Sequence, residues 1–408
     1  MTRMPRRVRR IVPVVLVALT LTACSGGAGE AGDAPEGQPV EVVAGGGTAA
    51  DAGRALDARI SGVLRDLEAG PDGVVRLGTT DGDRAVIWSV RPDGTLERTE
   101  LPAQVRSVNQ IATARDGTVY VSSGNGLWRA DGERVVGNGE DGFTPDGAAA
   151  TGPAGEISGV TVDPEGRVVY TEGLARGERL LSLVRRVEPD GTVTTLAGTP
   201  TAKLDDDEAL TEALRRAADP PPGTKARDLA LPGGYYTVLD AGDDGTVYVN
   251  GKESVLAIAP DGGVRAVVAG RDPDAVQVAG RPVAAEGKAL DARTPLYGPA
   301  VPPNLSVAGD RIALTSWVTG TPPAAPYRWS GEYTEGQRAI IDRAFDAEKG
   351  SSSTTWPRVR LVDGGGAITT AAWSARSAAI DGEWLYLAVG DAQRGLLVGR
   401  VRLPEQLG

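Results

Sequence analysis

Short runs of β-forming residues in this chain keep meeting at one dipeptide, Asp-Gly, which stands at Asp72, Asp93, Asp116, Asp131, Asp190, Asp244, Asp261, Asp363 and Asp381, each followed by glycine. Between alternating runs this pair is the strongest short-range hairpin signal, because a tight antiparallel connection demands positive φ, which glycine adopts without steric cost. The turns recur in a unit of four runs, one between the first and second and one between the third and fourth. Repetition at this length is the signature of propeller blades. The expected fold is all-β: a six-bladed β-propeller with four-stranded blades. A pair of β-sandwiches would account for the strands but not for the phase of the repeat.

The first blade is expected from Val63 to Ala69, Val74 to Thr80, Ala85 to Arg91 and Thr95 to Glu100. A compact second takes Val105 to Ala114, Thr118 to Ser123, Gly126 to Ala130 and Arg134 to Gly137. The third, the clearest, takes Ile157 to Asp163, Arg167 to Thr171, Leu180 to Glu188 and Thr192 to Gly198. The fourth begins at Tyr235 and continues through Thr246 to Asn250, Ser254 to Ala259 and Val264 to Gly270. The fifth takes Asn304 to Ala308, Ile312 to Val318, Val359 to Val362 and Ala367 to Trp373, with a long insertion, Thr319 to Arg358, inside it. The sixth supplies only Ser377 to Ile380, Trp384 to Val389 and Leu396 to Leu403. Val40 to Gly45 reads like the fourth strands of blades three and four. It is expected to pair into blade six, closing the ring and removing an exposed edge.

The stretch Val160-Thr161-Val162-Asp163-Pro164-Glu165-Gly166-Arg167-Val168-Val169-Tyr170, followed by Val187 to Gly198, resembles one NHL repeat. The connector from Gly137 to Gly159, with Asp141-Gly142 and Ala148-Ala149-Ala150, is similar to the "AGxG…DG…A…A…L" link between such repeats, and Ala44 to Ser61 repeats it. The resemblance is good in blades one, three and four, and weak elsewhere. It implies a propeller used chiefly as a recognition surface, although related propellers include lactonases and lyases; a shared fold fixes architecture far better than activity.

In a blade, the turns joining first to second and third to fourth strands share one face. The second-to-third loops and the inter-blade connectors share the other. Every long segment is therefore expected at that second face: Gly46 to Gly62, Asn138 to Glu156, Thr199 to Gly234, Arg271 to Pro303 and the blade-five insertion. Loops gathered at one end of a rigid scaffold commonly carry binding, and insertion drift on a tolerant surface is the competing explanation. Two short amphipathic helices are expected within the loops, at Asp205 to Asp219 and at Glu335 to Lys349, the second with its apolar side over the propeller mouth. Tyr327, Arg328, Trp329, Tyr333 and Trp356 bracket that second helix and form the candidate ligand-binding patch, since Tyr, Trp and Arg dominate binding hot spots. The same residues could equally pack the insertion down.

The N-terminus reads as a targeting segment. Arg3, Arg6, Arg7, Arg9 and Arg10 precede an apolar stretch, Ile11 to Ala23, too short to span a bilayer as a helix. Its end, Leu21-Thr22-Ala23-Cys24, resembles a bacterial lipoprotein lipobox, in which the cysteine thiol takes a diacylglycerol and becomes the new N-terminus. The expectation is a signal peptide over 1–23, a tether over 24–39 and the propeller over 40–408, exported by the general secretory route and anchored through Cys24 to the outer face of the cytoplasmic membrane. Net charge is −11, and loss of the five arginines makes the mature chain more acidic still. This argues against nucleic-acid partners, which need a basic footprint.

The chain contains no histidine, which removes the usual general base and every Ser-His or Cys-His nucleophile pair. The reading is a monomeric binding module for an envelope or extracellular protein, peptide or glycan, without a cofactor. The alternative is a Ca²⁺-dependent lactonase-like hydrolase. The resemblance to lactonase propellers implies a Ca²⁺ held by inner-strand side chains, for which Asn109, Asp240 and Asn304 are the candidates.

Overall fold

The computed structural model describes residues 38–404 apart from 51–52, 177–178, 200–211, 214, 218, 233–236, 251–253, 269–286, 289–303, 320–326, 350–354 and 365. Six antiparallel sheets follow one another along the chain, each built on four strands, and the sixth takes its outermost strand from the N-terminal end. This is the expected six-bladed propeller. Blade six runs Ser377–Asp381, Trp384–Asp391, Gly395–Arg402, and is completed by Glu41–Gly45. Glu41 lies opposite Arg400 and Gly45 opposite Leu397.

The hydrophobic core is distributed between the blades. One cluster joins Ala388, Leu396 and Val398 of blade six to Leu67, Leu77 and Trp88 of blade one. Another joins Val169 and Val184 of blade three to Leu239, Val249 and Leu256 of blade four. Each sheet is thus buried on both faces, so its strands read as nearly continuous apolar runs at their centres. The aligned turns show why Pro-Asp-Gly suits them. In Gly70-Pro71-Asp72-Gly73 the Gly73 amide donates to the Gly70 carbonyl at 2.9 Å. Asp72 accepts from the Val74 amide, and only the glycine has positive φ, at 71°. The aspartate terminates the turn by capping an amide, while glycine alone supplies the left-handed residue.

Strand limits depart from expectation in several places: the second strand of blade three runs on to Arg176, and the first strand of blade four is Leu239–Ala241. The first strand of blade two is only Gln110–Thr113, because Ser107 and Asn109 spend their side chains on Ser123 and on the Ile157 carbonyl. In blade five the hairpin Arg311–Thr319 with Thr355–Val362 is longer than expected, reaching into the insertion.

The long connectors also differ from expectation. Their described parts do not simply project from the loop-rich face; they fold down the outer edge of the blade that follows, except that Leu231–Pro232 pairs with Leu181–Ser182 in the third strand of the blade before it. Gly53–Arg54 pairs with the fourth strand of blade one, Ala149 with Thr192 of blade three, Lys225 with Gly263 of blade four, and Gly287–Lys288 with Ala367–Ile368 of blade five. In three blades the same bond recurs. An alanine amide (Ala55, Ala150, Ala226) donates to the carbonyl of a turn glycine (Gly94, Gly191, Gly262) at 2.8, 2.9 and 3.0 Å. These alanines are buried, so the small side chain permits the close approach. Covering the edge strand satisfies backbone groups that would otherwise template pairing with another chain.

Helix α1, Glu335–Lys349, has the expected limits. It starts on a capping box: the Gln337 amide donates to Thr334 Oγ1 while Gln337 Oε1 accepts from the Thr334 amide. Its apolar side, Ile340, Ile341 and Ala344, does not cover the propeller mouth. Ile340 and Ile341 pack with Val389 and Leu397 of blade six, and Ile340 lies against Gly390 and Gly395 beside that blade's second-to-third loop. Of the other expected helix, residues 212–213 and 215–217 are helical, and most of the remainder lies outside the described residues.

Candidate functional site

Inner strands of a propeller fan outward from the axis, so their axis-facing amides have no strand partner and must be satisfied otherwise. Side chains from neighbouring blades do this. Asp66 Oδ2 accepts from the Ile111 amide at 2.9 Å, linking blades one and two. Gln110 bridges three blades, its Oε1 accepting from the Val160 and Leu239 amides at 3.0 and 3.1 Å and its Nε2 donating to the Leu239 carbonyl at 2.7 Å. Asp240 Oδ2 accepts from the Val307 amide at 2.6 Å. Asn304 Oδ1 and Ser306 Oγ accept from the Ala378 and Ile380 amides at 2.8 and 3.0 Å, tying blade five to six.

Above this polar belt the channel widens into a cavity of about 550 Å³ lined from all six blades. Its rim is formed by Pro71, Arg115, Pro164, Asp243, Asp310 and Gly382, residues of the turns joining first and second strands. The cavity therefore opens on the face of short turns, opposite to the face on which sequence reasoning placed the ligand.

Its wall carries Asp66, Glu68 and Asp240 together with Asp163, Asp243, Asp310, Asp381, Arg115 and Arg311, and the first three are strongly shifted. Burial pushes Asp66 up to about 6, against the hydrogen bonds from Ile111 and Asn304 that favour its ionised form. Burial likewise lifts Glu68 to about 7, opposed by Thr113 and by the charge of Arg76. Glu68 accepts from both the amide and, at 2.7 Å, the hydroxyl of Thr113. Asp240 is also raised to about 7 by burial, and the neighbouring charge of Asp66 adds to the rise. Glu68 and Asp240 keep part of their surface open to the cavity. In a site near neutrality such groups exchange protons and accept hydrogen bonds from a polar guest.

The sequence-derived candidates are distributed differently. Asp240 lines the cavity. Asn304 is buried, donating to Asp66 Oδ1 at 2.9 Å. Asn109 donates to the Ile157 carbonyl at 3.0 Å and is absent from the cavity wall. The three do not converge on one point, and both Asp240 oxygens and the Asn304 oxygen already accept backbone amides. Among the described residues no group of three acidic side chains is placed to hold a metal. This donor set does not fit a Ca²⁺ centre, which takes six to eight oxygen ligands. Asp66, Glu68 and Gln110 were missed; polar residues facing inward on a first strand were the available signal.

Tyr327, Trp329 and Tyr333 of the aromatic candidates lie against the closing strand and its root. Tyr327 is 6% exposed. With Arg328 it forms a short parallel ladder with Gln38–Pro39, and the Arg328 carbonyl accepts from the Val40 amide at 2.8 Å. Tyr333 donates its hydroxyl to the Val40 carbonyl at 2.8 Å. Trp329 and Val40 lie so close over Gly399 that a methyl group there would collide with both. The Trp356 side chain lies outside the described residues, as does Cys24.

No family model matches the chain, and no curated protein matches it. Among solved structures it is similar to a catalytically inactive virginiamycin B lyase from Staphylococcus aureus, with 15% identity over 86% of this chain and 99% of that one at a TM-score of 0.41. It is likewise similar to a gluconolactonase from Xanthomonas campestris, with 14% identity over 90% and 96% and a TM-score of 0.42. A third is the PQQ-bound aldose sugar dehydrogenase of Streptomyces coelicolor, with 13% identity over 87% and 99% and a TM-score of 0.36. Likeness at these levels says nothing about chemistry, and the architecture rests on this chain's own strand order.

Proposed function

We propose that the chain is a lipid-anchored, extracytoplasmic binding propeller whose ligand seat is the central cavity on the short-turn face. The observation carrying this reading is the cavity itself: its volume is within the range that seats one small molecule or one terminal group of a peptide or glycan. Glu68 and Asp240 line it and keep part of their surface open, and both Glu68 oxygens and Asp240 Oδ2 each have a second lone pair beyond the internal bond they already accept. The chain has no histidine, and on this reading its single cysteine, Cys24, carries the lipid. The polar belt beneath serves the ring's own backbone. Anchoring rests on the lipobox-like Leu21 to Cys24 alone.

The test is thermal-shift screening of the purified mature chain against amino sugars, amino acids, hydroxy acids and lactones, with and without Ca²⁺. The expected outcome is a saturable rise in melting temperature from one compound class, without turnover, as mass action requires. Glu68→Gln and Asp240→Asn should abolish it. Ca²⁺-dependent stabilisation accompanied by lactone hydrolysis would replace the binding reading with the hydrolase.

A further inference from the structure

The cavity and the point where the N-terminal tether meets the propeller lie at the same end of the molecule. Along blade six, Trp384 pairs with Arg402 and follows directly on Asp381 and Gly382, which line the cavity. The Leu403 amide donates to the Glu383 carbonyl of that same turn. The closing strand runs antiparallel to Gly395–Arg402, with Glu41 opposite Arg400, so its start is at the short-turn end and Gly45 is at the loop-rich end. Gln38–Pro39 is held there by Tyr327–Arg328, and the Tyr327 hydroxyl reaches the Arg402 carbonyl at 3.4 Å. The blade-five insertion thus pins the root of the tether to the rim of the cavity-bearing face.

We propose that the anchored propeller stands with its short-turn face toward the bilayer, so that the cavity opens into the gap between protein and lipid. This rests on the anchoring reading above. The 13 residues from Ser25 to Gly37 separate Cys24 from the first pinned residue. Whatever their conformation, they span at most about 45 Å. With the short-turn face down, that whole length is available to set the gap. With the loop-rich face down, the chain must first travel the height of a blade, about 25 Å for strands of this size. Asp93, Asp116, Asp190, Asp244 and Asp261 are exposed on the short-turn face with Arg91 and Arg115 beside them, so the face is mixed in charge and the tether length sets the gap. Ligands then reach the cavity from the side, which admits small or extended molecules.

Lipidation consumes the thiol of Cys24, the chain's single cysteine, so a new cysteine is a unique label site. Glu165→Cys marks the short-turn face, in the first turn of blade three, and Glu140→Cys marks the loop-rich end. Each lipidated variant, labelled with a donor fluorophore and reconstituted into phosphatidylcholine–phosphatidylglycerol vesicles carrying a headgroup acceptor, reports its height above the bilayer by energy transfer. At least twofold greater transfer from position 165 is expected. Equal or reversed transfer from vesicle-bound protein overturns the orientation while leaving anchoring intact. A wild-type chain recovered from cells in the aqueous phase overturns anchoring and the orientation with it.

Discussion

Blade three and blade six have the same four-stranded plan but are assembled differently. Blade three is one continuous stretch, Glu156–Val162 to Val193–Ala197, and its outer edge is covered by the connector that immediately precedes it. Its interior carries a buried ion pair: Arg185, with no exposed surface, donates to Glu172 at 2.7 Å and reaches Asp146 of that connector at 3.3 Å. Asp146 also accepts from Thr195 and pairs with Arg227 of the next connector. Blade six is stitched from both ends of the described chain, and its edge is covered by an insertion belonging to blade five. A repeat unit can therefore stabilise itself locally, whereas the closing blade depends on segments far apart in sequence. The Arg400–Glu41 pair bridges 359 positions. Loop-closure entropy grows only logarithmically with that separation, so closure is affordable thermodynamically once the other blades are formed.

The sharpest way to break this comparison is to remove the borrowed strand. A mature chain starting after Gly45 loses Val40 and Ala44, both fully buried, and uncovers the edge of Gly395–Arg402. It is expected to aggregate and to lose its cooperative melt, read by light scattering and circular dichroism. A soluble truncation melting like the full chain would mean that blade six is stable with three strands.

The closing strand was legible because Val40 to Gly45 shares its pattern with the fourth strands of blades three and four. The helix at Glu335–Lys349 was legible from its apolar spacing and charged start. The connectors were misplaced because their role is backbone pairing: Ala55, Ala150 and Ala226 look like link residues, and nothing in their side chains says that they lie along an edge. The cavity's end was missed for a related reason. Asp66, Gln110 and Asp240 resemble solvated channel lining in sequence, and only the register of neighbouring blades shows that they satisfy inner-strand amides. The aromatic cluster had two readings from sequence, and the contacts to Val40 and Gly399 support packing.

Blade three offers a smaller lesion that tests its self-sufficiency. Arg185→Met leaves Glu172 buried without its partner, which costs about 3–5 kcal/mol in comparable buried pairs. Among the described residues, only the Gly155 amide, at 3.0 Å, remains to offset the charge. Urea denaturation should show this as a lowered midpoint with an unchanged slope, and Arg185→Met with Glu172→Leu should recover most of it. A double variant no better than the single one would mean that the connectors, rather than the ion pair, hold the blade.

The smallest expected effect belongs to neither blade and separates the shared ring from its parts. Asp66, Glu68 and Asp240 sit on blades one and four, and burial raises all three, to about 6, 7 and 7. The folded chain therefore binds their protons more tightly than the unfolded chain does. Their stabilising contribution is complete below the unfolded value, near pH 4, and is lost as pH rises through 6 to 7. In the opposite direction, Asp72, Asp93, Asp116 and Asp190 have lowered values, from the Arg76 ion pair in the first and from turn hydrogen bonds in the others, and their contribution is lost as pH falls below about 4. The melting temperature is expected to rise by a few degrees from pH 8 to pH 5 and to fall again under stronger acid. Arg185→Met removes the partner that opposes the burial-raised value of Glu172, so the rise should be larger in that variant than in the wild type. Glu68→Gln should reduce it, with Asp66 and Asp240 still contributing. An increment that vanished in the blade-three variant would mean that the blades are coupled through the polar belt, and that blade three is less self-contained than its continuous chain implies.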